Sequence, residues 1–231
     1  MKLLDTRGAN PKLKKTGAAA PFRYAGLSLY PDNILCAGAK AAGCMVPCLV
    51  GQGRGVFPKV REARQTKAQF FHEDQAAFLD QLHRELNNFA KLCHRNGERG
   101  AVRLNVFSDV CWERYGIPQA HPDLLMVDYT KQAARLGKTP ENYKLIFSYS
   151  GRGKYRNQTR QAFLTDYPVA VVFRNGLPRM FCGRPVMDGD RDDIANAYAT
   201  GQIVGLRAKG SARQDCSGFV VNNPDLIGSA S

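Results

Sequence analysis

The chain lacks several features that would place a protein in a membrane or outside the cell. Nowhere in its 231 residues is there an apolar run of about 18 residues, the length that a membrane-spanning helix needs. The N-terminal sequence MKLLDTRGANPKLKK has no apolar core of the kind found in signal peptides. These absences predict a cytoplasmic protein without membrane contact, whose cysteines are reduced or metal-bound rather than paired in disulfides.

Acidic residues are scarce relative to basic ones. The chain has 20 Asp and Glu against 33 Lys and Arg, which gives a net charge of +13. The basic residues occur along most of the chain rather than in one tail, with three denser groups: Lys12, Lys14 and Lys15; Arg54, Lys59, Arg61, Arg64 and Lys67; Arg152, Lys154, Arg156 and Arg160. Such an excess favours contact with phosphates, and nucleic acid is the commonest partner of that kind, although it also serves general solubility.

The sequence shows neither a repeat of fixed period nor a linker that would divide the chain. Its composition, 44% hydrophobic and 23% charged, is ordinary for a globular protein. We therefore expect a single α/β domain over residues 1–231. Within it we predict an irregular N-terminal segment over 1–60, a β/α core over 61–221 and a flexible tail over 222–231.

Apolar periodicity predicts one long helix followed by a series of strands. From His72 to His94 the apolar residues recur at steps of three and four, and Asn96 and Gly97 end the pattern as helix terminators do. The residues of this apolar face are Leu79, Leu82, Leu86, Phe89 and Cys93. Five apolar strands follow, separated by polar or helical segments, at 101–107, 124–130, 143–150, 169–174 and 203–209. This alternation is typical of parallel strands covered by helices.

The residues that close these strands are the candidates for a site. In parallel α/β folds, ligands bind at the carboxyl ends of the strands. We predict catalytic roles for Asp109, Asp128, Lys131 and Lys209, and cofactor-binding roles for Asn105, Ser108, Thr130 and Ser148. The competing interpretation is that loops after strands are polar in any case, and that such residues cap the following helices.

Three cysteines lie within thirteen residues, in the run CAGAKAAGCMVPC. Cys36, Cys44 and Cys48 can converge on one metal centre, and a set of three leaves one coordination position open. We predict that they hold an iron–sulfur cluster, most readily [4Fe–4S], with zinc as the alternative metal; buried thiols or a redox disulfide are the other interpretations. Cys93 is expected in the core, and Cys111, Cys182 and Cys216 are candidates for a fourth ligand.

Carboxylates alternate around a glycine in VMDGDRDDIANAY, residues 186–198. Asp188, Asp190, Asp192 and Asp193 could bind Mg²⁺ or Ca²⁺ through oxygen ligands. The calcium-loop pattern is incomplete, because no glutamate follows at the required offset. Asp192 and Asp193 also stand where the N-cap and first turn of a helix favour acidic residues.

An ordered series of motifs resembles the gene product 88 family of bacteriophages and plasmids. The motifs run from about residue 10 to 221: NPKLKKTG, GLSLYP, GRGVFPKVREARQTK, VRLNVFSDVCWE, MVDYTK, NYKLIFSYS, VAVVF, VMDGDRDD, IVGLRAKG and DCSGFVV. The resemblance implies a mobile-element protein in the cytoplasm of a bacterial host. It implies no particular activity.

The order of a cysteine triad followed by β/α units also looks similar to radical SAM enzymes. That resemblance implies a [4Fe–4S] cluster held in a partial or distorted (β/α) barrel, with S-adenosylmethionine on the open iron. The cysteines here are separated by seven and three residues, wider than the usual pattern, and no Gly-Gly-Glu run is found. These departures argue against S-adenosylmethionine, while a cluster in a barrel-like fold remains the expectation.

Three functions are consistent with these features. The first is an iron–sulfur protein, redox-active or radical SAM-like, with its cluster at the mouth of a barrel-like fold. The second is a zinc-stabilised basic protein that binds nucleic acid during phage replication or host takeover. The third is a non-catalytic protein that binds a host protein. The sequence leaves both the oligomeric state and the existence of an enzymatic activity open.

Overall fold

The computed structural model describes residues 1–6, 22–48, 50 and 53–222, with the Arg54 side chain excepted. Within these ranges the chain forms ten strands: β1 Leu4–Asp5, β2 Phe22–Leu27, β3 Arg99–Arg103, β4 Leu124–Thr130, β5 Tyr143–Ser148, β6 Val169–Phe173, β7 Met180–Phe181, β8 Arg184–Asp188, β9 Ile203–Arg207 and β10 Val220–Val221. The α-helices are α1 Ala39–Ala42, α2 Pro58–Glu73, α3 Gln75–Arg95, α4 Ile117–Ala120, α5 Arg156–Phe163 and α6 Asp193–Ala197.

The strands form one mixed, mostly parallel sheet. Its order is β1-β2-β3-β4-β5-β6-β9-β8-β7, and β2 through β8 along this path are parallel to their neighbours. Of the strands in the described ranges, only β1 and β7 pair antiparallel, with β2 and β8 respectively. Among the described residues no pairing joins the two edges, so the sheet is open, and the barrel predicted from the sequence is not confirmed.

Strand β6 has an unusual set of partners. Along one edge it pairs with β9 over its full length. Its other edge is shared, because Val169 and Ala170 pair with β5 whereas Val172 and Phe173 pair with β10. The sheet therefore separates between β5 and β6 at the carboxyl ends of these strands, and the C-terminal segment enters the gap.

Both faces of the sheet are buried, which explains why its strands are almost continuously apolar. On one face, Leu82, Leu86 and Phe89 of α3 pack in the main core that also contains Val102 and Met126. On the other face a smaller apolar cluster contains Val127, Ile146, Ala170, Val204 and, from α6, Ala197.

The long helix predicted from His72 to His94 corresponds to α3, Gln75–Arg95, and the helix before it, α2, was not predicted. Between α2 and α3, Asp74 leaves the helical conformation and its side chain accepts a hydrogen bond from the amide of Ala77 at 3.0 Å, which caps α3. The apolar face predicted for α3 is buried, with Leu79 only partly so. The helix ends at Arg95 with Asn96 as its C-cap, and Gly97 follows with φ 64°, as predicted.

Two of the predictions along the chain need correction, and one cannot be assessed. The strand predicted at 101–107 ends at Arg103, because the amide of Asn105 bonds to the Asp128 carboxylate at 2.8 Å instead of continuing the ladder. The N-terminal segment is not irregular throughout, since β2 pairs in parallel with β3. The predicted tail, apart from Asn222, lies outside the described residues. Within the described residues, the helices are all too short or too polar to span a bilayer.

Buried His121, which is paired with the partly buried His83, should make stability depend on pH. Nδ1 of His83 lies 2.9 Å from Nε2 of His121, and burial, followed by the neighbouring His83, lowers the pKa of His121 to about 4. Since an unfolded histidine titrates near 6.5, the unfolded chain binds more protons between these values, and stability falls as the pH drops from about 6.5 towards 4. Between pH 7.5 and pH 5, the free energy of unfolding of the native chain should fall by about 2 kcal/mol more than that of His121→Gln. Urea titrations at the two pH values measure both differences. An unchanged pH dependence would contradict the assignment.

Candidate functional site

A cavity of about 390 Å³ opens at the carboxyl ends of the parallel strands. Consecutive strands each contribute a lining residue from the same face of the sheet, namely Arg103, Tyr129, Ser148, Val172 and Leu206. The cysteine segment, residues 36–48, lies over this edge and forms the opposite wall. The cavity is therefore situated where parallel α/β proteins bind ligands.

The structure brings almost all of the predicted site residues to this cavity. Ten of the eleven line it: Cys36, Cys44, Cys48, Asn105, Ser108, Asp109, Thr130, Lys131, Ser148 and Lys209. The exception is Asp128, which is fully buried beneath the cavity. Their convergence is a fact of the fold, whereas the catalytic and cofactor-binding roles stay predictions.

The cysteine segment is tied to the sheet by backbone groups. The Leu35 carbonyl accepts a hydrogen bond from the amide of Asp109 at 2.7 Å, and the Ala42 carbonyl accepts one from Ser150 Oγ at 2.7 Å. Ser217 Oγ, just before β10, donates to the Gly43 carbonyl at 3.1 Å. The loops after β3 and β5 and the segment entering the sheet gap thus hold the three cysteines in place.

The three cysteines line one cavity. Cys36 Sγ donates to the Phe107 carbonyl at 3.4 Å, and Cys44 Sγ to the Ala39 carbonyl at 3.7 Å. Burial raises the pKa of Cys36, and Asp109, Cys48 and Cys44 raise it further; burial also raises the pKa of Cys48. These mutual effects show that the thiols are near one another, and their ionisation requires a compensating cation.

A single metal ion does not match this arrangement. Four sulfurs around one zinc ion lie about 3.8 Å apart, given Zn–S bonds of about 2.3 Å and tetrahedral geometry. Across the described ranges, no three His, Cys, Asp or Glu side chains are placed to hold one metal ion. An iron–sulfur cluster separates its cysteines further, because each binds a different iron. The donor set, three soft thiols, suits such a cluster and does not suit Mg²⁺ or Ca²⁺.

Lys131 is a buried cation that interacts electrostatically with all three cysteines. Its buried ammonium donates to Ser148 Oγ at 2.8 Å and to the Ser148 carbonyl at 3.2 Å, and it lies 4.3 Å from the centre of the Phe219 ring. Burial lowers the pKa of Lys131, whereas the charges of Cys44, Asp109, Cys36 and Cys48 act in the opposite direction. Ionised thiols would therefore hold this lysine in its charged form.

The loops beneath the cavity are ordered by buried polar contacts. Asn105 Oδ1 accepts hydrogen bonds from Ser108 Oγ, the amide of Val110 and Trp112 Nε1, at 2.8 to 3.0 Å. Asp128 accepts from the amide of Asn105 and from the Tyr143 hydroxyl, and burial raises its pKa to about 7. Through these hydrogen bonds, the side chains of Asn105 and Asp128 hold the loops that form the cavity floor.

Asp109 joins the cavity wall to a buried ion pair. Its carboxylate accepts from the amide of Lys131 and from Arg135 Nη1, each at 2.7 Å. Arg135 also forms two hydrogen bonds with Glu113 at 2.8 Å. Thr130 Oγ1 accepts from the Gln132 amide and from Arg135.

The acidic segment after β8 is paired with bases. Asp188 and Asp190 accept from Arg207, and Asp190 also accepts from Lys209 at 2.6 Å. Asp192 caps α6 by accepting from the amide of Ile194 at 2.8 Å, as predicted. The segment forms ion pairs and a helix cap, and nothing in this arrangement favours the Mg²⁺ or Ca²⁺ interpretation.

The remaining cysteines lie away from the cavity. Cys93 is buried in α3, as predicted, and Cys111 Sγ lies 3.6 Å from Gln132 Oε1. Cys182 and Cys216 are exposed. None of these four lines the cavity, so none is placed as a fourth ligand in the described part of the chain.

Sequence reasoning missed Arg103, Arg207 and Phe219. Arg103 would have been recognised as a strand-closing residue if the strand predicted at 101–107 had been ended at residue 103, where β3 ends. Phe219 reaches Lys131 only because β10 enters the gap beside β6, and no local sequence pattern predicts that strand pairing.

Gly38 sets how closely the cysteine segment approaches β4. A Cβ at this position would lie 2.6 Å from the Cβ of Lys131, a contact that neither backbone can relieve cheaply. We expect Gly38→Ala to lower the free energy of unfolding by about 1–3 kcal/mol in urea titrations. Gly153→Ala is the matched control, because a Cβ there meets nothing within 4 Å. Equal stability of the two variants would show that this contact is not needed.

A family model described as Gene product 88 matches residues 2–223, and the chain therefore belongs to the gene product 88 family. Neither the curated proteins nor the solved structures include a match. The family predicted from the series of motifs is confirmed, whereas the resemblance to radical SAM enzymes receives no support.

Proposed function

We propose that this member of the gene product 88 family binds an iron–sulfur cluster, of the [4Fe–4S] type, through Cys36, Cys44 and Cys48. The observation that carries the proposal is that three cysteines within thirteen residues line one cavity at the carboxyl edge of a parallel sheet. Three thiols on one cavity suit a cluster because each cysteine can bind its own iron. On this view the open sheet acts as a partial barrel whose mouth is the cavity.

The residues around the thiols would support a charged cofactor. Lys131 offsets the negative charge of ionised cysteines, and the backbone amide of Lys131 is fixed by Asp109. Three protein ligands leave one iron open, so a bound cluster would supply electron transfer or Lewis-acid activation. Apolar side chains, among them Met45, Pro47 and Val50, also line the cavity beside the cysteines.

Metal and sulfide analysis after anaerobic purification tests this proposal. We expect about four irons and four acid-labile sulfides per chain, with broad absorbance in the blue region of the visible spectrum. Anaerobic handling is essential because oxidised thiols release their metal. Stoichiometric zinc, or a fully folded protein that takes up neither iron nor sulfide on reconstitution, would reject a cluster.

Nucleic-acid binding is the second candidate. It is supported by the net charge of +13 and by the exposed basic residues Lys154, Arg156 and Arg160 beside the cysteine segment. Such binding would weaken steeply with added salt, because neutralised phosphates release counterions. A zinc-containing or metal-free protein with salt-dependent affinity for DNA or RNA would favour this function over the cluster. Recovery of a specific host protein in a pull-down, with neither metal nor nucleic acid bound, would favour the third function, that of a non-catalytic protein that binds a host protein.

A further inference from the structure

Two segments without acidic residues meet beside the cavity. Residues 33–61 and 142–165 contain no Asp or Glu. They are joined where α1 packs against the turn 153–155 and Arg152 Nη1 donates to the Lys40 carbonyl at 3.1 Å. The turn leads directly into α5, so that one continuous stretch, called here the basic surface, contains Lys40, Arg152, Lys154, Arg156 and Arg160.

The residues of the basic surface are accessible. Four of the five are exposed, and Arg152 is half-buried. On α5, Arg156 and Arg160 are four residues apart and therefore lie on the same side of the helix. Asn157 and Gln161, which follow them in the sequence, are exposed as well. The exposed side of α5 thus consists of two cations and two amides.

Ion pairs do not cancel this positive charge. The ion pairs within the described ranges are formed by other residues, so none of the five cations has a carboxylate partner there. Asp166 follows α5, and buried Asp215 precedes Ser217, whose hydroxyl donates to the Gly43 carbonyl. Five cations against these two carboxylates leave an excess of three. In the cavity wall beneath, two carboxylates are balanced by two cations, in the group Asp109, Glu113, Lys131 and Arg135.

The chemistry of the basic surface favours a phosphodiester backbone as its partner. Guanidinium groups bind phosphate oxygens through paired, charge-assisted hydrogen bonds, and Asn and Gln amides donate to phosphates and sugars. A helix that binds a lipid surface instead offers an apolar face to it. The apolar side of α5 is turned into the protein, where Ala162 is buried and Phe163 packs on the core. Nucleic acid is therefore the polyanion that this surface fits.

We propose that the basic surface binds the phosphate backbone of a nucleic acid, with Arg156 and Arg160 as its main contacts. Lys40 lies between Ala39 and Cys44 in the sequence, and both of these residues line the cavity. A bound strand therefore runs beside the cysteine segment. The inference deepens the second candidate function, on which it rests, by naming the surface and the group that it contacts, and it requires no cluster.

Fluorescence anisotropy of the full chain with labelled poly-U, poly-dT and a mixed-sequence DNA duplex tests this inference. We expect at least one of the three to bind, and the strongest identifies the form of nucleic acid. For a single strand, a plot of log affinity against log salt concentration should have a slope of about −3, because each neutralised phosphate contributes about −0.7. Absence of binding by all three, or an affinity that does not depend on salt, would overturn the inference.

A double variant, Arg156→Gln with Arg160→Gln, tests the surface itself. Both residues are exposed and glutamine suits a helix, so the fold is preserved. The variant should bind at least about tenfold more weakly, and its salt slope should be shallower by about 1.4. Lys91→Gln with Arg95→Gln is the matched control, because it removes the same charge from exposed residues of α3, close to the start of β3. Equal losses in the two double variants would overturn the inference, since net charge alone would then explain the binding.

Two further comparisons separate this inference from other partners and from the cluster. Binding to vesicles that contain phosphatidylserine, without binding to any oligonucleotide, would overturn it in favour of a membrane surface. If the native chain contains the cluster but binds no oligonucleotide, the inference fails and the cluster proposal stands. If a chain that takes up no iron binds with the expected salt slope and is weakened by the α5 variant, the inference stands and the cluster proposal fails.

Discussion

Iron and acid-labile sulfide should both fall to background when Cys44 is replaced by alanine. Cys44 lies between Cys36 and Cys48 in the sequence, lines the same cavity and affects the pKa of both neighbouring thiols. With only two cysteine ligands, one iron of the cluster has no protein ligand. The variant also lacks one of the thiolates whose negative charge offsets that of Lys131. Colorimetric iron and sulfide assays and the visible spectrum, all on anaerobic protein, measure the loss.

Cys216→Ala is the control for this experiment. Cys216 is exposed and does not line the cavity, so this variant should retain the iron, sulfide and colour of the native chain. Cys36→Ala and Cys48→Ala should behave as Cys44→Ala does. Full iron and sulfide content in Cys44→Ala, or equal losses in Cys44→Ala and Cys216→Ala, would mean that the three cysteines are not the ligands.

Replacing Arg135 with leucine should lower the free energy of unfolding by about 3–5 kcal/mol, the cost of breaking a buried ion pair. The Arg135 side chain is only 5% exposed and bonds to Asp109 at 2.7 Å and to Glu113 at 2.8 Å. Its removal leaves the buried carboxylate of Asp109, in the cavity wall, and the partly buried carboxylate of Glu113 without their cation. Urea unfolding at pH 7.5 measures the difference.

A double variant tests whether the uncompensated charge is the cause. Adding Glu113→Gln to Arg135→Leu removes one of the two unpaired carboxylates and should recover part of the lost stability. Arg160→Leu is the surface control and should change stability by less than about 0.5 kcal/mol. A loss below about 1 kcal/mol in Arg135→Leu, or no recovery in the double variant, would show that this ion pair does not hold the cavity wall in place.

The strands of the parallel core were predictable because both faces of the sheet are covered. Residues 124–130 agree with β4 at both ends, and three further strands agree at their starts, since continuous apolar runs mark a strand that is buried on both sides. Short strands gave no such signal. Strand β10 has two residues, and its pairing with β6 depends on the gap left by β5.

The cavity was predictable in part for a similar reason. Residues that follow parallel strands meet at one edge of the sheet, which is why Asp109, Lys131 and Ser148 line one cavity. What these residues do there was not predictable from the strands alone. The Asp128 side chain accepts from the amide of Asn105, a contact that arises only after distant segments have packed, whereas the Asn105 side chain orders its own loop by accepting from the amide of Val110.

Anomalous diffraction at the iron absorption edge, from crystals grown without oxygen, locates the cofactor without relying on any variant. A cluster bound as proposed gives one strong iron peak within the cavity, bounded by Cys36, Cys44 and Cys48 on the side that faces Lys131. Crystals of iron-reconstituted protein that show an ordered cavity without an iron peak, or iron bound elsewhere on the chain, would contradict the proposed function.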